Sequence, residues 1–106
     1  QIARNGWLAD YNDPISFLDM WITGSGNNDA QWSNKEYDAL IGKVKASSDK
    51  NERMQLMHQA EDIIFQEYML CPIYYYVDIF LKSEKLDGFY SSPLGYKYFM
   101  YTTVRQ

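Results

Sequence analysis

Two helix-start signals set close together constrain this chain more than any other feature. Ser33-Asn34-Lys35-Glu36 is a capping box, in which the Ser and Glu side chains each satisfy a backbone N–H that the first helical turn leaves unpaired. It predicts a helix from about Asn34 to Ala46, with Tyr37, Leu40, Ile41 and Val44 at i, i+3, i+4 and i+7 and the lysines on the other side. Asp49-Lys50-Asn51-Glu52 repeats the logic, Asp at the N-cap and Glu at the third position, and opens a longer helix to about Tyr68. Met54, Met57, Ala60 and Ile64 form its expected buried stripe. His58, the one histidine, lies on this helix with no Cys, second His or converging acid pair at ligand spacing, so it reads as solvated or capping. Both helices read as architecture.

Upstream, residues 2–8 read as a strand that ends at a carboxylate and a turn. Gly6 lets another backbone approach, Trp7 offers a flat apolar wall, and Asp10 stands just past the strand end, where ligands sit in an open parallel sheet. Asp13-Pro14 then starts a helix, Asp as cap and Pro where a missing N–H costs nothing, running to about Thr23 with Ile15, Leu18 and Ile22 inward. Gly24-Ser25-Gly26-Asn27-Asn28-Asp29 is a polar loop whose Asn27 and Asn28 can meet a ligand backbone or simply make a turn. Past the two capped helices, residues 72–81 are rich in aromatic and β-branched side chains and read as a strand covered on both faces. Turns follow at Asp87-Gly88 and around Pro93, and Tyr98 to Val104 reads as a final strand. A strand, three helices and a strand imply a crossover with parallel pairing, so the fold class is α/β.

The 106 residues are one domain by length, and the longest apolar runs are too short to span a membrane. Ten basic against 14 acidic side chains give a net charge of -4, with no basic stripe to neutralise a phosphate backbone, so nucleic acid is excluded as a partner. Cys71 stands alone, which rules out an internal disulfide and a cysteine metal site; it is expected to be a small buried apolar group. The chain opens at Gln1 directly into strand-like sequence and reads as cut from something longer.

The run Gly6-Trp7-Leu8-Ala9-Asp10-Tyr11-Asn12-Asp13-Pro14 resembles a segment of extracytoplasmic oligopeptide-binding proteins, the family 5 solute-binding components of peptide ABC importers. The resemblance continues through the Asn-rich loop, Tyr37-Asp38-x-Leu40-Ile41, Arg53, Ala60-Glu61 and Pro72-Ile73-Tyr74-Tyr75-Tyr76. It implies an α/β piece of one lobe of a two-lobed periplasmic-binding-protein-like clamshell (type II, cluster C), with residues 1–106 as a single C-terminal lobe fragment of a longer protein. It implies a peptide ligand held extended by backbone pairing, permease subunits of the importer as partners, an extracytoplasmic location, no cofactor and no catalysis, and it leaves a lipid anchor on the parent open. By the same resemblance, Asp10 matches the carboxylate that holds the ligand α-ammonium and Trp7 and Leu8 match the pairing segment. Tyr76 matches a pocket residue, Asn28 lies in a loop bordering the pocket, and Arg4 matches a basic group that can meet the peptide carboxylate. The competing classes are a dipeptide, nickel-chelate or other solute binder of the same family, and a protein-interaction module. An acid and base pair of Asp10 and Asp13 is disfavoured because Asp13 is accounted for as a cap.

Overall fold

Asn34, one residue past the expected Ser33, caps the first helix. Its side-chain oxygen accepts from the N–H groups of Glu36 at 2.9 Å and Tyr37 at 3.0 Å, and α1 runs Lys35–Ala46. The longer amide does what a serine hydroxyl cannot, because its nitrogen end also donates to Glu67 Oε1 at 2.6 Å, while Ser33 turns to the Thr23 hydroxyl at 3.0 Å. Helix α2, Lys50–Gln66, is capped by Asp49 as expected, through the N–H groups of Asn51 at 2.8 Å and Glu52 at 2.9 Å. Its C-terminus closes when Tyr68 enters the left-handed region at φ 52°, so that Tyr68 N–H reaches Phe65 O and Met69 N–H reaches Ile64 O.

These are features of a computed structural model, which describes residues 2–106 and divides into two compact units, one up to Pro72 and one from Ile73. In the first unit α1 and α2 pack face to face, burying Tyr37, Leu40, Ile41 and Val44 from one helix and Met57, Ala60 and Ile64 from the other. Met54, expected in that stripe, is 44% exposed, and Leu56 and Ile63 flank the core instead. The expected helix from Pro14 to Thr23 is two 3-10 turns, Pro14–Phe17 and Asp19–Trp21. A single α-helix would spread the buried residues Ile15, Ser16, Met20 and Trp21 over about 240° of its circumference, more than one packing face can take. The break at Leu18 turns both pairs inward.

Residues 2–8 are irregular rather than a strand, and so are residues 72–81. The second segment is exposed on both faces instead of covered, with Tyr75 97% and Leu81 102% accessible. The reason is common to both: neither joins a sheet among the described residues, and a lone strand leaves its backbone groups unpaired. Cys71, beside the second segment, is exposed rather than buried.

The second unit holds the strands that do form, all of two residues and paired antiparallel. β1 (Leu86–Asp87) pairs with β4 (Thr103–Val104), and β2 (Tyr90–Ser91) pairs with β3 (Lys97–Tyr98). The expected parallel crossover is therefore absent among the described residues, and the run from Tyr98 to Val104 is split by a turn in which Thr102 N–H reaches Phe99 O. Gly88 is required there, since at φ 72° a Cβ would stand 2.0 Å from the Tyr101 carbonyl oxygen. Phe80, Phe89 and Phe99 form a row of ring contacts at 5.2 Å, and Lys97 lies over the Phe80 ring while pairing with Asp78. The architecture as described is a mixed helix and strand one.

Candidate functional site

The turn from Asp10 to Ser16 is closed by its own polar groups. Asp10 N–H donates to Ser16 Oγ at 2.9 Å, and Ser16 is 1% exposed. Asp13 N–H reaches Tyr11 O at 2.9 Å, while Asp13 Oδ1 caps the N–H of Ile15 at 3.0 Å. Its other oxygen, Oδ2, pairs with Arg53 Nη2 on α2, and Arg53 Nη1 also donates to Val44 O at 3.3 Å near the end of α1. One guanidinium thus ties this turn to both helices.

Three carboxylates act electrostatically on Tyr11. Its hydroxyl is pushed above the ordinary tyrosine range by burial first, then by Asp19, Asp13 and Asp10, with Arg53 opposing. Asp13 has Arg53 as its cation and Asp19 has Lys45 at 3.4 Å. The Asp10 side chain is exposed, and among the described residues no donor meets its carboxylate. Of the three, Asp10 is the one whose carboxylate, among the described residues, has no cation to displace before an added ammonium can pair with it.

Trp7 packs against the core with its Nε1 buried and unpartnered among the described residues, and Leu8 is 65% exposed. Arg4 is exposed. Asn28, 6% exposed, is committed to its own loop: Nδ2 donates to Trp32 O at 2.7 Å and to the carbonyls of Trp21 and Ile22 at 3.3 Å, and Oδ1 accepts from Trp32 N–H at 3.2 Å. It lines a half-open depression of about 170 Å³ with Thr23, Gly24, Ser25, Gln31, Trp32 and Ser33, a group that includes none of Arg4, Trp7, Leu8 and Asp10. Tyr76 belongs to the second unit, where it meets Tyr74 edge to face at 5.1 Å.

Ser16 and Arg53 support the turn without any local pattern announcing it. The one signal for Arg53 is its place in the resemblance; Ser16 had none, because a serine inside a helix start reads as neutral. His58 is exposed and stands 3.7 Å from Glu61 one turn on. Among the described residues, no group of three His, Cys, Asp or Glu side chains could hold a metal, and no helix is long and apolar enough to cross a membrane.

No protein-family profile matches the chain. Individual proteins do. The chain is 42% identical over 96 residues, 91% of its length, to the dipeptide-binding protein DppE of Bacillus subtilis, and covers 18% of that protein. It is 40% identical over 100 residues, 93% of its length, to the oligopeptide-binding protein OppA of the same organism, again covering 18%. It is 39% identical over 98 residues, 92% of its length, to the probable deoxycholate-binding periplasmic protein YgiS of Escherichia coli, 18% of which it covers. The chain spans about 18% of the length of these relatives and, over nearly all of its own residues, is similar to that part of oligopeptide- and dipeptide-binding proteins.

Proposed function

We propose that these residues are a C-terminal part of an extracytoplasmic solute-binding protein with two lobes, which binds oligopeptides between them and delivers them to the permease of an ABC importer without catalysing a reaction. Asp10 takes the ligand α-ammonium, Trp7 and Leu8 border the ligand backbone, and Tyr76, Asn28 and Arg4 contribute to the pocket or its rim. The observation that carries this reading is the exposed Asp10 carboxylate, set past a tryptophan in a turn whose other acid, Asp13, already has a cation. The peptide names of two relatives support the ligand class, and the periplasmic name of a third supports the location.

The full site needs protein from outside the 106 residues, and the exposed apolar segment around Tyr75 then gains a strand partner that covers it. A non-peptide solute is the second reading, favoured by the deoxycholate named for one relative. Native mass spectrometry of the full-length parent, purified without added ligand, separates the two. A ladder of captured peptide masses supports the proposal; a single non-peptide mass, or none with Ala-Ala-Ala added, contradicts it.

A further inference from the structure

We infer that Arg53, acting through Asp13, is a positioning residue for the Asp10 carboxylate, an inference that rests on reading Asp10 as the partner of the ligand ammonium. A carboxylate that is to meet a cation must be held within a fraction of an ångström, and an exposed side chain gets that only from its backbone. Here the backbone on both sides of Asp10 is fixed. Its own N–H is held by the buried Ser16 hydroxyl, and the next carbonyl, of Tyr11, accepts the Asp13 N–H. Asp13 therefore sets the turn, and Arg53 sets Asp13.

The geometry calls for arginine. Nη2 meets Asp13 and Nη1 meets the Val44 carbonyl, so the planar fork spans the turn and the end of α1 while its Cα rides on the first turn of α2. Lysine has one flexible point charge and cannot hold both acceptors at a fixed angle. The pair joins residues 40 apart in sequence, so nothing local replaces it. Asp13 keeps its cap to Ile15 if Arg53 is lost, which leaves the turn formed but untied from the helices.

A double-mutant cycle on the full-length parent, titrated with Ala-Ala-Ala by calorimetry, tests this. Arg53→Ala should weaken binding on the order of tenfold in the wild-type background and by less than about twofold in Asp10→Asn, because a positioning group has nothing left to position. Arg53→Lys should fall between wild type and alanine. If the arginine effect is the same in both backgrounds, Arg53 is only a structural brace and the inference is overturned. If Asp10→Asn alone leaves the affinity unchanged, the reading of Asp10 itself fails, and that result is visible without the arginine variants. Should Arg53→Ala not fold, Arg53→Lys and Ser16→Ala complete the same cycle with the same criterion.

Discussion

The Tyr37 hydroxyl donates to the Leu18 carbonyl at 2.6 Å, from a ring wholly buried between α1 and the N-terminal turns. This bond falls at the break between the two 3-10 turns, so it satisfies a carbonyl near the point where the chain changes direction. Tyr37→Phe keeps the ring and leaves that carbonyl with the Trp21 N–H alone, at 3.2 Å, and should cost about 0.5–1.5 kcal/mol of stability. Urea unfolding followed by tryptophan fluorescence checks it, with an unchanged slope and a lowered midpoint expected.

The same hydroxyl makes stability depend on pH at the alkaline end. Burial first, then Asp19 and Asp38, push its pKa up from the ordinary 10.0, so the folded protein keeps a proton that the unfolded chain gives up. Above pH 10 the unfolded state binds fewer protons, and stability falls as pH rises. Below that pH the contribution is fully present. Unfolding midpoints measured from pH 8 to 11 should drop toward the alkaline end, and less so in Tyr37→Phe.

Cys71 should react with a thiol reagent under native conditions in the 106-residue chain, since its side chain is exposed. Absorbance of the released thiolate reports it. Full labelling within the time a small thiol takes is the expected result, and protection until urea is added is the contrary one.

What the sequence made legible was local. The cap at Asp49 and the stripe of Tyr37, Leu40, Ile41 and Val44 are settled within a few residues, and the helices form where their spacing predicts, although Asn34 rather than the expected Ser33 caps the first. The expected strands failed because a strand is a statement about a partner: residues 2–8 and 72–81 have the composition of strands, and neither finds a ladder among the described residues. The helix after Pro14 failed for another reason, since Ile15, Ser16, Met20 and Trp21 all had to turn inward and periodicity saw only part of that set. At the site, Asp10 and Trp7 were visible as residue types with a stated chemistry, whereas Arg53 came to Asp13 through tertiary packing that no window of sequence contains.

Residues 1–106 alone should bind Ala-Ala-Ala roughly a hundredfold more weakly than the full-length parent, because a peptide held on one side only stays largely hydrated. Calorimetry on both proteins gives the ratio. Equal affinities would contradict a site completed by residues outside this chain.

The central claim is that Asp10 holds the ligand ammonium, and the affinity of the parent for Ala-Ala-Ala and for its N-acetyl form, before and after Asp10→Asn, tests it most directly. In a closed site both charges lose water, and removing one leaves the other buried and unpaired at about 2–5 kcal/mol. At about 1.4 kcal/mol per decade, the substitution should weaken Ala-Ala-Ala by roughly 30- to 4,000-fold. The N-acetyl peptide has no ammonium to lose, so it should bind the wild type poorly and hardly notice the change. If both peptides bind the variant as they bind the wild type, Asp10 is a turn residue and the account is wrong.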